Sequence, residues 1–374
     1  MTGTVSALRV HDLEVDLVRP FVTAIRRAAS ISVVLVEALD GAGHHGWGEA
    51  ATSWQVTGES PASVRAAVEG PLSEVVVGRR IDALTTLGSD LAIAAFQNSA
   101  ARSAVECAIQ DLAAAQCALT LAATLGAHRQ SVRTDITLSA TNTDDLVAVA
   151  VRHVADGFTM LKVKVGAGHD DRQALLAVRE AIGPSIGLRV DANQAWDVDE
   201  AVRITRFWES AGLDLDLLEQ PVRARDLDGL AEVTARVATP VLADESVRTS
   251  DDLRELISRR AATMVNIKLA KSGGLGEARR MAALAAQNGI GVVIGCMMES
   301  SVGVGAAAAL AASLCETDAA RTHDLDAGLW QANPVVHGGI SYKGPDLYLS
   351  DDPGLGIHGL VTNSRSIVDG TAQW

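Results

Sequence analysis

Beyond residue 128, short apolar runs alternate with longer amphipathic stretches, and the alternation predicts strand, helix, strand in unbroken succession. The runs at 132–139, 159–165, 187–192, 216–220, 241–244, 263–269, 291–298 and 322–325 read as strands. The stretches between them, such as 171–182, 197–211, 227–237, 250–260 and 275–288, carry apolar residues at helical spacing. Regular β-α alternation requires a parallel sheet joined by right-handed crossovers. The first 127 residues follow another rhythm. Strands at 8–18 and 31–39 flank a loop (19–30), a second loop covers 49–60, and helices begin at Pro61 with Ser60 as N-cap. This order predicts an α+β domain over 1–127 and an α/β domain over 128–337, with the tail 338–374 returning to the first.

Two parallel architectures compete for the second domain. An open doubly wound sheet gathers its site at one topological switch point. A closed (β/α) barrel of the TIM type presents residues from the C-terminal end of every strand. Here Lys164, Asp191, Glu219, Asp244, Lys268, Glu299 and Asp324 close successive apolar runs at intervals of 24 to 31 residues. The barrel is the expected fold.

Strand parity then decides where these groups point. In Leu161-Lys162-Val163-Lys164-Val165 the apolar residues share one face and both lysines the other. The outer face of a barrel strand is covered by helices, so the lysines face the interior. The same parity turns Asn266 and Lys268 inward, and it pairs Leu217 with Glu219 and Asp324 with Asp326. Alternating lysines usually mark a solvated edge strand, but a closed barrel has no edges.

Asp191, Glu219 and Asp244 end three consecutive strands and are therefore neighbours around the rim. Each alone could cap the following helix. Together, three unpaired anions would repel and one would take a proton. A divalent cation removes that conflict, and an all-oxygen donor set favours a hard ion, Mg2+ above all. Lys164 on the second strand and Lys268 on the sixth lie across the barrel from each other, with the carboxylates between. An ammonium is cationic at neutral pH, but a nearby Mg2+ and a second ammonium disfavour the charge and yield a usable base; Lys162, beside Lys164, suits that role. Two opposed bases about a carboxylate-binding metal imply proton abstraction next to a carboxylate and return of a proton to the opposite face, which is racemisation or epimerisation.

Composition narrows the partners. A net charge of −14 offers no basic face for nucleic acid. The longest small-apolar stretch, 302–314, is broken by Gly303 and Gly305 and is too short to span a bilayer. The N-terminus shows no continuous apolar segment of a secretory signal. Four cysteines without CxxC spacing read as thiols. A cytoplasmic protein acting on a small molecule is expected, without membrane or nucleic-acid partners and as a homo-oligomer.

The segments LKVKVG (161–166), RVDANQAW (189–196), LLEQPV (217–222), LADES (242–246) and NIKLAKSGG (266–274) resemble the enolase superfamily, in its muconate-lactonizing subgroup. PFVTAIR (20–26) and GWGEA (46–50) resemble its capping domain, and PGLGI (353–357) its closing tail. The resemblance implies a modified, enolase-like barrel under an α+β cap. HDLDAG (323–328) is similar to the Asp-x-Asp motif of dipeptide epimerases, which implies that Asp324 and Asp326 bind a substrate α-ammonium. Arg26 matches the arginine that in L-Ala-D/L-Glu epimerases receives the glutamate side chain. Met298 and Glu299, at the end of the seventh strand, lie where relatives vary in specificity; Met298 offers a pliable apolar surface, and Glu299 reads equally as a supporting group or a substrate contact. Glu245 is expected to orient Lys268. The implied activity is Mg2+-dependent epimerisation of a dipeptide at its second residue, L-Ala-D/L-Glu foremost. The alternatives in the same superfamily are an o-succinylbenzoate synthase, a muconate cycloisomerase and an N-acylamino-acid racemase, none of whose substrates needs a pair of carboxylates for an ammonium.

Overall fold

The computed structural model describes residues 3–22, 27–81, 86–138, 142–166, 170–361 and 365–366. Its N-terminal part is an antiparallel layer of β1 (Val5–Val22), β2 (Arg27–Asp40) and β3 (His45–Ala51) backed by helices. Ser60 caps the helix Pro61–Ala67, as its spacing implies, by accepting from the Ser63 amide. The strands are longer than the hydrophobic pattern indicates. Pairing resumes at Phe21↔Ala28 and Val22↔Arg27 after a break in register beyond Asp16, so much of 19–30 is ladder rather than loop. Pro20 has no N–H to donate, and the interrupted alternation around it hides the strand.

β3 is an unexpected element, since HGWGEAA has little strand character. Its glycines explain it. A Cβ on Gly46 would stand 2.2 Å from the Ala108 carbonyl oxygen, and one on Gly48 2.0 Å from that of Ala104. The strand lies directly against the alanine-rich helix Ser99–Gln116, a backbone approach only glycine permits.

The second part is the expected barrel. Its strands are β4 (Ser131–Thr134) and β5 (Ile136–Leu138), which form one position interrupted at Asp135, then β6 (Met160–Lys164), β7 (Gly187–Asp191), β8 (Leu215–Glu219), β9 (Val241–Ala243), β10 (Met264–Lys268), β11 (Gly291–Gly295) and β12 (Thr322–His323). β5 through β11 pair in chain order, all parallel. A Gly295↔Asp324 bridge and the β12–β4 pairing close the ring. Thr249 and Asp252 form a capping box on the helix Ser250–Arg259, and Asp197 and Asp226 cap the helices that follow β7 and β8.

Parity is as the alternation demands. Val163, Val165, Val265 and Ile267 are buried in the core shared with the surrounding helices. Leu217, Leu242, Met264 and Val293 form a separate small cluster that includes the strand neighbour of Glu219. At the last two positions the strands end early: β11 stops at Gly295, leaving Cys296–Glu299 in the following loop, and β12 stops at His323, with the Asp324 backbone joined to β11 by the bridge. The tail divides its pairing. Asp346–Tyr348 joins β4, whereas Arg365–Ser366 joins β1. Among the described residues, no helix is long and apolar enough to cross a membrane.

Candidate active site

The C-terminal ends of β6 to β10 converge on a group of buried charges. In register, Lys164 lies opposite Asp191, and Asp191 opposite Glu219. Asp244 follows β9 immediately, while Lys268 ends β10, separated from β6 by three strands. Lys162, one pleat below Lys164, is among the largest fully buried side chains of the molecule.

Each carboxylate of the rim is met by ammonium groups. Lys162 Nζ stands 2.7 Å from Glu219 Oε2, 2.8 Å from Asp324 Oδ2 and 3.1 Å from Asp191 Oδ2. Lys164 Nζ lies 2.6 Å from Asp191 Oδ2, and Lys268 Nζ lies 2.9 Å from Asp244 Oδ2. Burial opposes the charge on Lys162, but Asp324, Glu219 and Asp191 outweigh it and raise the ammonium well above its ordinary pKa. Lys268 is raised likewise, by Asp244 and Asp324 against its own burial. Lys162, expected as a base, thus has three carboxylates within hydrogen-bonding distance and is placed to balance their charge.

Glu219 reports the balance of the cluster. Burial, and after it Asp191, push its carboxyl up to about 7. Its other oxygen accepts from Asn266 Nδ2 at 3.0 Å. Among the described residues, no three carboxylates are already arranged as a shell around one ion, because each is turned toward a lysine. The donor chemistry nevertheless suits a hard cation: Asp191, Glu219 and Asp244 offer oxygen alone, are buried, and stand at the ends of neighbouring strands.

Several supporting residues were not evident from the sequence. Lys271, in the short turn Leu269–Ser272 after β10, donates to Asp244 Oδ1 at 2.5 Å, to the Val247 carbonyl at 3.2 Å and to the Asn266 carbonyl at 3.1 Å. It fixes the Asp244 carboxylate from behind. Its position off the strand pattern conceals it, although a lysine within LAKSGG is a visible signal. Gln220, at φ +37°, accepts from the amides of Asp244 and Ser246 and so binds adjacent rim loops together. Asn193 Nδ2 donates to Glu245 Oε1 at 3.3 Å. Glu245 thus hydrogen-bonds to Asn193 while its carboxylate remains within electrostatic reach of Lys268, whose ammonium pairs directly with Asp244.

On the eighth position Asp324 and Asp326 are both buried. Asp326 Oδ2 accepts from the Thr137 amide at 2.7 Å and from Trp330 Nε1 at 3.1 Å. Glu299 Oε1 accepts from the Met297 amide at 3.0 Å, and burial followed by Glu49 pushes its carboxyl up to about 8. Glu49, from β3, accepts from the Ser300 and Gly303 amides and so ties this loop to the N-terminal layer. Met298 is partly buried against the main core. Arg26 lies outside the described residues.

Known proteins resemble this chain over most of its length. A family model for the enolase C-terminal domain-like fold matches residues 145–359, and one for the N-terminal domain of mandelate racemase / muconate lactonizing enzyme matches residues 6–126. The L-Ala-D/L-Glu epimerase of Bacillus subtilis is 37% identical over 349 residues, 93% of this chain and 94% of the relative. The structure of its substrate-liganded complex superposes with a TM-score of 0.93 at 35% identity, covering 96% of this chain and 99% of that one. A dipeptide epimerase from Enterococcus faecalis, complexed with Mg and the dipeptide L-Leu-L-Tyr, gives a TM-score of 0.90 at 34% identity, covering 95% of this chain and 99% of that one. A capping layer and a barrel matched over most of their length, together with identity above one third, place this chain in the enolase superfamily, among the relatives of mandelate racemase and muconate lactonizing enzyme.

Proposed function

We propose that the protein is a Mg2+-dependent dipeptide epimerase that inverts the Cα of the second residue, with L-Ala-D/L-Glu as its leading substrate. The observation that carries this reading is the placement of Lys164 and Lys268 on strands across the barrel from each other, with Asp324 and Asp326 buried together on the eighth position. Asp191, Glu219 and Asp244 would hold Mg2+, which supplies electrophilic stabilisation to a substrate carboxylate. The residues of the chain do the rest. Asp324 and Asp326 bind the α-ammonium and orient the peptide. Arg26 receives the acidic side chain of the second residue. Lys164 and Lys268, one on each side of the substrate, take the α-proton from one face and return a proton to the other. Asp244, pinned by Lys271, holds Lys268 in line, and Lys162 balances the charge below Asp191 and Glu219.

Similarity to the two epimerases supports the reaction class more strongly than the substrate, since one relative is named for L-Ala-D/L-Glu and the other binds L-Leu-L-Tyr. The acidic second residue rests on Arg26. A dipeptide library incubated in D2O with Mg2+, read by mass spectrometry for a gain of one mass unit, tests reaction and specificity together. Exchange strongest for X-Glu dipeptides is expected. Silence across the library would overturn the epimerase reading.

A further inference from the structure

Arg19 lies on β1 and belongs to none of the groups assigned above. Its guanidinium sits over the indole of Trp330, with Cζ 4.8 Å from the ring centroid. One of its terminal nitrogens lies 2.9 Å from His153 Nε2, on the helix Thr143–Ala155 that follows the first barrel strand. Burial and the nearby Arg19 and Arg152 cations push that imidazole down to about 4. It is therefore neutral at physiological pH, and Nε2 accepts from the guanidinium.

Trp330 connects this contact to the site. Its ring is buried in the short helical turn Ala327–Trp330, and its Nε1–H donates to Asp326 Oδ2. The residues before Arg19 and those after Trp330 reinforce the link. Leu17 and Gln331 form an antiparallel bridge, and the Ala332 amide donates to the Asp16 carbonyl at 2.8 Å. Gln331 Nε2 reaches back to the Glu299 carbonyl at 2.6 Å. A strand of the N-terminal layer is thus zipped onto the segment that follows the eighth barrel position. The aromatic side chain at the junction touches a carboxylate assigned to the substrate.

We infer that Arg19 and Trp330 are positioning residues for ammonium recognition: the cation stacked on the indole fixes the ring, and the ring fixes the Asp326 carboxylate. The inference rests on the proposed role of Asp326. A carboxylate can rotate about its last bond, and binding a cation in one geometry requires that freedom to be removed beforehand. The Thr137 amide supplies one restraint on Oδ2 and the indole N–H a second, from a different direction. The guanidinium–indole contact joins the docking of the N-terminal layer to the site's preference for a charged amine.

The test uses the full protein with Mg2+ present and two ligands: a dipeptide such as L-Ala-L-Glu, and its desamino counterpart N-propionyl-L-glutamate. Affinities are measured by competition against turnover and by calorimetry. Trp330→Phe retains an aromatic face for Arg19 and removes only the N–H donor. Arg19→Gln removes the stacked cation and leaves the indole. Loss of one hydrogen bond to a charged group predicts roughly 10-fold weaker dipeptide binding for Trp330→Phe. A smaller loss, about 3-fold, is expected for Arg19→Gln. Affinity for the desamino ligand should change less than about 2-fold in both variants, within the range of ordinary substitutions away from a contact. Equal losses for both ligands, or no loss in either variant, would overturn the inference. A wild-type protein that fails to distinguish the two ligands would instead remove the ammonium pocket itself, a failure visible before any variant is made.

Discussion

The ammonium of Lys162 lies within 3.1 Å of oxygens from three carboxylates, with Glu219 the nearest at 2.7 Å. Such a group, fully enclosed, carries its charge only because the anions around it are equally enclosed. Removing one partner of a buried ion pair while leaving the others costs roughly 3–5 kcal/mol. Lys162→Met should therefore lower the thermal midpoint markedly without Mg2+. The same substitution removes a competitor for the carboxylates, so added Mg2+ should raise the midpoint of the variant more than that of the wild type. Calorimetric scans of both proteins with EDTA and with Mg2+ measure the difference. Equal Mg2+ shifts in the two would contradict the role of Lys162 as a countercharge to the proposed ligands.

Lys164 and Lys268 belong to strands with three others between them, so their loss should be separable by stereochemistry. In D2O, Lys268→Ala should lose epimerisation by about 10²–10⁴-fold, the usual weight of a positioned acid–base group. It should still wash the α-proton out of one epimer, by way of Lys164. Lys164→Ala should show the opposite preference. Proton NMR of each epimer, incubated separately with each variant, resolves the four rates. If both variants fail on both epimers, or if neither shows a preference, the two-base scheme is wrong.

Gly48 makes a prediction about the N-terminal layer alone. A methyl group there would meet the backbone oxygen of Ala104 at 2.0 Å, and a helix backbone cannot turn aside as a flexible side chain can. Gly48→Ala should force β3 from the helix Ser99–Gln116 at a cost of about 3 kcal/mol or more, toward the upper end of overpacking effects. Gly41→Ala, with nothing within 4 Å of the added carbon, is the matched control and should be nearly neutral. Chemical unfolding of both variants decides the point. A stable Gly48→Ala protein would mean that the strand and helix can separate freely.

The barrel was legible in the sequence because one physical constraint is repeated around it. Each strand must show an apolar face to its helices, so Lys162, Lys164, Asn266 and Lys268 could point only inward. Features set by a neighbour outside the local pattern escaped. β3 is a strand because Ala104 and Ala108 leave room for nothing larger than glycine, a fact of the partner helix and not of HGWGEAA itself. Lys271 reaches Asp244 from a turn that follows a strand, where alternation says nothing about direction. Glu245 follows Asp244 in sequence, yet adjacent residues need not share a hydrogen-bond partner, and that of Glu245 is Asn193. Local periodicity determines which face a side chain occupies; the partner it finds there depends on chain segments far away in sequence.

Asp111 gives the pH dependence a defined origin. It is buried in the helix Ser99–Gln116 and accepts from the amides of Trp47 at 2.7 Å and Leu355 at 2.5 Å, joining β3 to the closing tail. Burial pushes its carboxyl up to about 7 from an ordinary value near 3.8, with the two amides opposing only part of the rise. The folded protein therefore binds this proton more tightly than the unfolded chain does. Protonation at this position favours the fold: the contribution is complete below pH ~4 and disappears as the pH climbs through about 7. Each unit of such a shift weighs about 1.4 kcal/mol. Asp111→Asn carries no titrating proton, so the stability of wild type relative to this variant should decline as pH rises from 5 to 8, by several degrees in thermal midpoint. Acid denaturation through other carboxylates affects both proteins alike and cancels in the difference. Parallel midpoints across that range would show that Asp111 is ionised in the folded state, held by the Trp47 and Leu355 amides more strongly than burial opposes it.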